Sequence, residues 1–125
     1  MSDLNKLISN LKSIFPQASV NKQFDEATLS VYGNEIIKTL KKLKTGSQFK
    51  FLQLIDIAAV DYSQYPQKLF DNNRYAVVYH LLSIKNNQRL RVRAFVEDND
   101  FPVIETATTV YANADWYERE AFDLF

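Results

Sequence analysis

Arg74-Tyr75-Ala76-Val77-Val78-Tyr79-His80-Leu81-Leu82-Ser83-Ile84, then Arg89-Leu90-Arg91-Val92-Arg93-Ala94-Phe95-Val96 after an Asn86-Asn87 pair, is the stretch that decides the fold. Both runs are long, rich in β-branched and aromatic residues, and alternate, which marks half-buried strands. Asn86-Asn87 tolerates the positive φ of a tight turn, so the two runs read as one hairpin with Ile84 opposite Arg89. Counting back along that register puts Tyr75, Val77, Tyr79 and Leu81 on one face with Leu90, Val92, Ala94 and Val96. That face is the expected core. Arg91 and Arg93 share the other face with Leu82 and His80.

Upstream, Leu4, Leu7, Ile8, Leu11, Ile14 and Phe15 recur at helical spacing behind Ser2 or Asp3 as N-cap, and Pro16 ends the helix. Ala27-Thr28-Leu29-Ser30-Val31-Tyr32 alternates as a strand and is broken by Gly33-Asn34. A second helix is expected from Glu35 to Lys44, with Ile36, Leu40 and Leu43 inward, its lysines outward, and Gly46 as the stop. Phe49 to Tyr62 is apolar on both parities, which reads as a helical turn capped by Ser47 and then a strand from Asp56 to Tyr62. Ser63 to Asn73 has the composition of an exposed loop.

Downstream, Glu97-Asp98-Asn99-Asp100 forms an acidic link, and Pro102 suits the first turn of a helix reaching Val110. After a break at Ala112-Asn113-Ala114, Asp115 is placed to cap a last helix with Glu118 three positions on, the spacing of a capping box. No repeat or linker divides the chain, so residues 1–125 read as one α+β domain: N-terminal helices on a small mixed or antiparallel sheet containing a long hairpin, then C-terminal helices.

Composition narrows the function. Fifteen basic and fifteen acidic side chains cancel, which removes the cationic footprint of a nucleic-acid binder. The balance is uneven along the chain: residues 1–50 hold eight lysines against four acids, and residues 51–125 hold seven basic groups against eleven acids, a dipole suited to docking between subunits. With no cysteine, disulfides, thiolate nucleophiles and cysteine-held clusters are excluded. No apolar run approaches the roughly 20 residues of a membrane span, and Met1-Ser2-Asp3 does not begin a signal peptide, so a soluble intracellular protein is expected.

The catalytic inventory is poor. His80 lies within a strand, where packing at a sheet face is its ordinary role. No serine or cysteine arrangement surrounds it, and two glycines leave nothing to cradle a phosphate or dinucleotide. The acids Asp115, Glu118, Glu120 and Asp123 could be imagined as metal ligands. On a helix, however, Glu118 and Glu120 point about 200° apart and cannot converge on one ion. Arg119 and Asp123 are spaced to pair. A structural charge cluster is the reading that spacing favours, ahead of a docking patch and well ahead of a metal or catalytic site.

The segment Ala112-Asn113-Ala114-Asp115-Trp116-Tyr117-Glu118-Arg119-Glu120-Ala121-Phe122-Asp123-Leu124-Phe125 strongly resembles the signature of the thirty-kilodalton subunit of respiratory complex I, the NADH:quinone oxidoreductase. Asp56-Ile57-Ala58-Ala59-Val60-Asp61-Tyr62, Arg74 to Ser83, and Arg89-Leu90-Arg91-Val92 are similar to further strands of that family, so the resemblance spans roughly residues 30–125. It implies a scaffold subunit of the hydrophilic arm, packed against the forty-nine-kilodalton quinone-site subunit, on the cytoplasmic face of a bacterial inner membrane or the mitochondrial matrix side. It implies no catalytic residue, metal or cofactor in this chain; NAD, FMN, iron–sulfur clusters and quinone belong to other subunits. Trp116, Glu118, Arg119, Glu120 and Asp123 become subunit-interface candidates. In the family the signature runs on into a tail that wraps onto neighbouring subunits, so the folded domain without that tail is expected here. The alternatives are the homologous subunit of a membrane-bound hydrogenase or related dehydrogenase, and a free-standing soluble protein-binding module.

Overall fold

The computed structural model describes residues 3–23, 25–62, 75–96 and 104–122. Helix α1 (Asp3–Ile14) is followed by strands β1 (Ser19–Gln23) and β2 (Glu26–Tyr32), a 3₁₀ turn over Gly33–Glu35, and helix α2 (Ile36–Thr45). Strands β3 (Gln53–Asp61), β4 (Tyr75–Ser83) and β5 (Gln88–Phe95), a 3₁₀ turn over Ala107–Thr109, and helix α3 (Ala114–Phe122) complete the order. The sheet runs β1-β2-β5-β4-β3, antiparallel throughout except for the parallel β2–β5 pair at its centre. The architecture is α+β.

One sheet face carries the core. Ala27, Leu29 and Val31 of β2, Leu90, Val92 and Ala94 of β5, and Val77, Tyr79 and Leu81 of β4 form one cluster with Leu7 and Leu11 of α1 and Ile36, Leu40 and Leu43 of α2. Period-two burial on the strands meets period-3.6 burial on the helices, which is why each helix can lie along the sheet. The hairpin has the expected faces with a different register. Leu81 lies opposite Leu90 and Ser83 opposite Gln88, so the connection is Ile84-Lys85-Asn86-Asn87 rather than Asn86-Asn87 alone. Of these four residues only Asn87 adopts positive φ, at 50°. The shift from the two-residue turn moves pairing by two positions, and because side chains alternate with period two the core set is unchanged. Asn86 holds the turn in place by donating its side-chain N–H to Phe49 O at 3.0 Å.

Ser19–Gln23 is edge strand β1, made a strand by pairing with β2. Two further expectations are corrected. Strand β3 begins at Gln53, before Asp56, and a bulge between Leu54 and Asp56 restores its alternation against β4. In place of a helix up to Val110, residues 104–106 are irregular and a single 3₁₀ turn covers Ala107–Thr109. The β-branched run Val103, Ile104, Thr106, Thr108, Thr109 and Val110 disfavours a helix, and Thr106 accepts the Thr108 N–H in a local turn instead. The loop expected at Ser63–Asn73, the acidic link Glu97–Asp100 and Pro102 lie outside the described residues.

Gly46 does end α2, through an extended conformation (φ −61°, ψ 131°) with its N–H on Lys42 O at 2.8 Å. A Cβ at Gly46 would sit 2.7 Å from that carbonyl, so glycine is required by contact rather than by handedness.

Candidate docking surface

The irregular chain before β3 and the approach to α3 fasten to each other through side chains on backbone. The Tyr111 hydroxyl donates to Phe51 O at 2.6 Å, and the Asn113 amide donates to Leu54 O at 3.0 Å. Lys44 Nζ, from the last turn of α2, donates to Val110 O at 2.6 Å while lying 5.4 Å from the centre of the Tyr111 ring. Burial drives the Tyr111 phenol pKa well above its ordinary value, so it stays a donor. These bonds fix where α3 begins and lay it against β3.

On α3, Ala114 and Ala121 are buried, Tyr117 packs on the core, and Glu118 is 7% exposed. Their spacing of three, four and seven residues makes a single inward stripe. Asp115, Trp116, Arg119 and Glu120 form the opposite, exposed face. The geometric separation of Glu118 from Glu120 expected from sequence is present, and among the described residues no group of three or more acids or histidines could hold a metal ion.

The signature residues therefore have different surroundings. Glu118 does not close a capping box with Asp115: its Oε1 accepts the Thr106 hydroxyl at 2.6 Å and its Oε2 accepts the Ala107 N–H at 2.8 Å. It fastens α3 to the preceding 3₁₀ turn, where a charge-assisted bond supplies the partner that a buried N–H needs. Asp115 lies within the first helical turn, and its carboxylate meets Arg119 at 3.4 Å with both side chains mostly exposed. Such a pair stabilises by only about 0.3 to 0.5 kcal/mol. Asp123, the expected partner of Arg119, lies outside the described residues. Trp116 is 65% exposed. What sequence reasoning missed is the inward stripe of Ala114, Tyr117, Glu118 and Ala121; its spacing was visible, but alanines and a carboxylate gave it no apolar signal.

His80 is half-buried on the sheet face away from the helices, opposite Arg91 on β5 and Asp56 on β3. Partial burial, aided by Arg91, lowers its pKa below the ordinary 6.5, with Asp56 and Glu26 opposing. Arg91 itself pairs with Glu26 at 3.1 Å. Glu26, Arg91, His80 and Asp56 thus form a row of charged and titratable groups across four strands.

Residues 29–125 match the family of the respiratory-chain NADH dehydrogenase 30 kDa subunit. A subunit of the NADH-quinone oxidoreductase from Neisseria meningitidis serogroup B is 45% identical over 100 residues, which are 80% of this chain and 51% of that protein. The chain thus spans about half the length of that relative. Among solved structures, the trypsin-resistant fragment of Nqo5 superposes with a TM-score of 0.81 at 25% identity, covering 99% of this chain and 92% of the fragment. A chain of a membrane-bound sulfane sulfur reductase, an archaeal respiratory membrane complex, shares the fold with a TM-score of 0.76 at 22% identity, over 97% of this chain and 66% of that one. Helix α3, with its buried Glu118 and exposed Trp116, lies inside the matched region, and the chain belongs to the family of the 30 kDa subunit of respiratory-chain NADH dehydrogenase.

Proposed function

We propose that this chain is the folded domain of a scaffold subunit in a proton-pumping NADH:quinone oxidoreductase, docking through the outward face of α3 onto the neighbouring quinone-site subunit of the hydrophilic arm. The observation that carries this reading is Trp116, 65% exposed beside Asp115, Arg119 and Glu120 on a helix whose inward stripe is already filled. A large aromatic ring ringed by charges is the usual composition of an interface anchor, and its burial against a partner would be worth far more than the surface pair beside it. Arg119 would then exchange the weak Asp115 contact for a desolvated partner carboxylate.

In this role the chain performs no chemistry itself; NAD, FMN, the iron–sulfur clusters and quinone are held by other subunits. It associates with the cytoplasmic face of a bacterial membrane, or with the matrix side in an organelle, through the complex. No helix among the described residues is long and apolar enough to cross a membrane. The alternative, the equivalent subunit of a hydrogenase-type complex, is supported by the shared fold alone, whereas 45% identity to an NADH-quinone oxidoreductase subunit favours the first.

The test is Trp116→Ala in the full-length protein, with membranes assayed for assembled complex on native gels and for NADH:quinone activity. Loss of both with normal abundance of the subunit is expected. Full assembly would reject the surface.

A further inference from the structure

A groove of about 380 Å³ opens on the helical side of the sheet, where the end of α1, the last residues of β2 and the first turns of α2 meet. Its volume falls in the range of about 300 to 1,000 Å³ typical of ligand pockets. Ile14, Pro16, Ala18 and Val31 give it apolar walls, and Ile14 is 36% exposed there. Hydrogen bonds frame it on both sides. The Ala18 N–H donates to Phe15 O at 3.1 Å across the turn at Pro16, and the Thr39 hydroxyl donates to Glu35 O at 2.8 Å within α2.

The helices beside this groove carry an excess of positive charge. Apart from Asp3, every ionisable side chain on α1 and α2 is a lysine. Lys44 is engaged with Val110 O, and Lys38 lies 3.8 Å from Glu35. That leaves Lys41 and Lys42, both exposed, with which no carboxylate among the described residues forms an ion pair. Lys42 lines the groove, its ammonium 5.7 Å from the centre of the Phe15 ring. An apolar slot flanked by unpaired cations fits a partner that brings an apolar side chain and a nearby carboxylate, and a protein segment provides both. A phosphate polymer or a lipid headgroup layer fits less well. The cations are lysines rather than phosphate-gripping arginines, of which residues 1–50 have none, and Glu35 lines the same groove.

We propose that the groove between α1 and α2 is a second docking site, occupied by an acidic segment of another subunit whose apolar side chain seats against Ile14 and Val31 while its carboxylates pair with Lys41 and Lys42. The proposal shares with the α3 reading only that the chain works within a multisubunit complex. No residue of α3 lines this groove, so the outcome of Trp116→Ala does not decide it.

The test treats membranes containing the assembled complex with a carbodiimide, which joins an amine to a carboxylate without a spacer, and reads the products by mass spectrometry. Lys41 or Lys42 should be linked to an Asp or Glu of a different subunit. Acylation of both lysines should be slowed about fivefold or more relative to the free protein, as burial at an interface requires. Lys41→Glu with Lys42→Glu should lower assembled complex on native gels by about tenfold or more. The same pair should leave this chain alone with a cooperative melt within about 5 °C of the wild type, since only surface contacts are lost. Lys42→Arg beside an intact Lys41 should keep assembly. Cross-links confined to this chain or to a second copy of it, equal labelling in the free and assembled states, or normal assembly of the double variant would each overturn the proposal. So would protection that vanishes when detergent strips lipid from an intact complex, because the lysines would then belong to an anionic membrane surface.

Discussion

The β4–β5 hairpin and the pair of irregular segments around Phe49–Leu54 and Thr106–Asn113 share one core and satisfy their backbones in opposite ways. In the hairpin, bonds pass from strand to strand in an unbroken register from Ala76 and Phe95 to Ser83 and Gln88. In the irregular segments, carbonyls 49, 51, 54 and 110 are met by side chains, from Asn86, Tyr111, Asn113 and Lys44 respectively. A ladder spreads its bonds over many interchangeable residues, so the cost of losing any one side chain is set by packing. In the irregular segments each carbonyl depends on one named residue, so the cost is set by the hydrogen bond.

The sharpest way to break the comparison is Val92→Asp, which puts an unpaired carboxylate at a position with 0% exposure in the centre of the ladder. A loss of about 4 kcal/mol or more is expected in urea denaturation, against less than about 0.5 kcal/mol for Lys85→Gln in the exposed turn. Equal losses would show that the faces are misassigned. Next comes Glu118→Ala, which strips partners from the Thr106 hydroxyl and the buried Ala107 N–H; about 2 to 3 kcal/mol is expected by the same measurement. Tyr111→Phe keeps the ring against Lys44 and removes only the bond to Phe51 O. A loss of about 1 to 2 kcal/mol would sharpen the contrast with ladder positions, and a loss near zero would erase it.

The smallest effect concerns His80, on the sheet's other face. Folding makes its imidazole harder to protonate than in the unfolded chain, where the ordinary value is 6.5. Between the lowered folded value and 6.5 the unfolded chain binds more protons, so stability should rise with pH through that window and fall as pH drops through it. Tm measured at several pH values should show this slope, and His80→Asn should flatten it; an unchanged slope would assign the dependence to other groups.

The same contrast explains what the sequence made legible. Val77, Tyr79 and Leu81 against Leu90, Val92 and Ala94 could be placed on one face because alternation survives a register error of two. Strand β1 could not, since Ser19, Asn21, Lys22 and Gln23 carry no strand signal and their conformation comes from pairing with β2. Phe49–Leu54 was ambiguous because its shape depends on Asn86, Tyr111 and Asn113, all more than 30 residues away. At α3 the spacing of Glu118 and Glu120 told correctly that they diverge. It could not tell which faced inward, because the core lining on that side is small residues and the partners of Glu118 come from the 3₁₀ turn.

The central claim is that α3 is two-faced, with Glu118 committed inward and Trp116 held outward for a partner. Because Trp116 is the sole tryptophan of the chain, hydroxyl-radical labelling read by mass spectrometry reports directly on it. Labelling should be strong at Trp116 in the free protein and suppressed in the membrane-assembled complex. Equal labelling in both states would contradict the account.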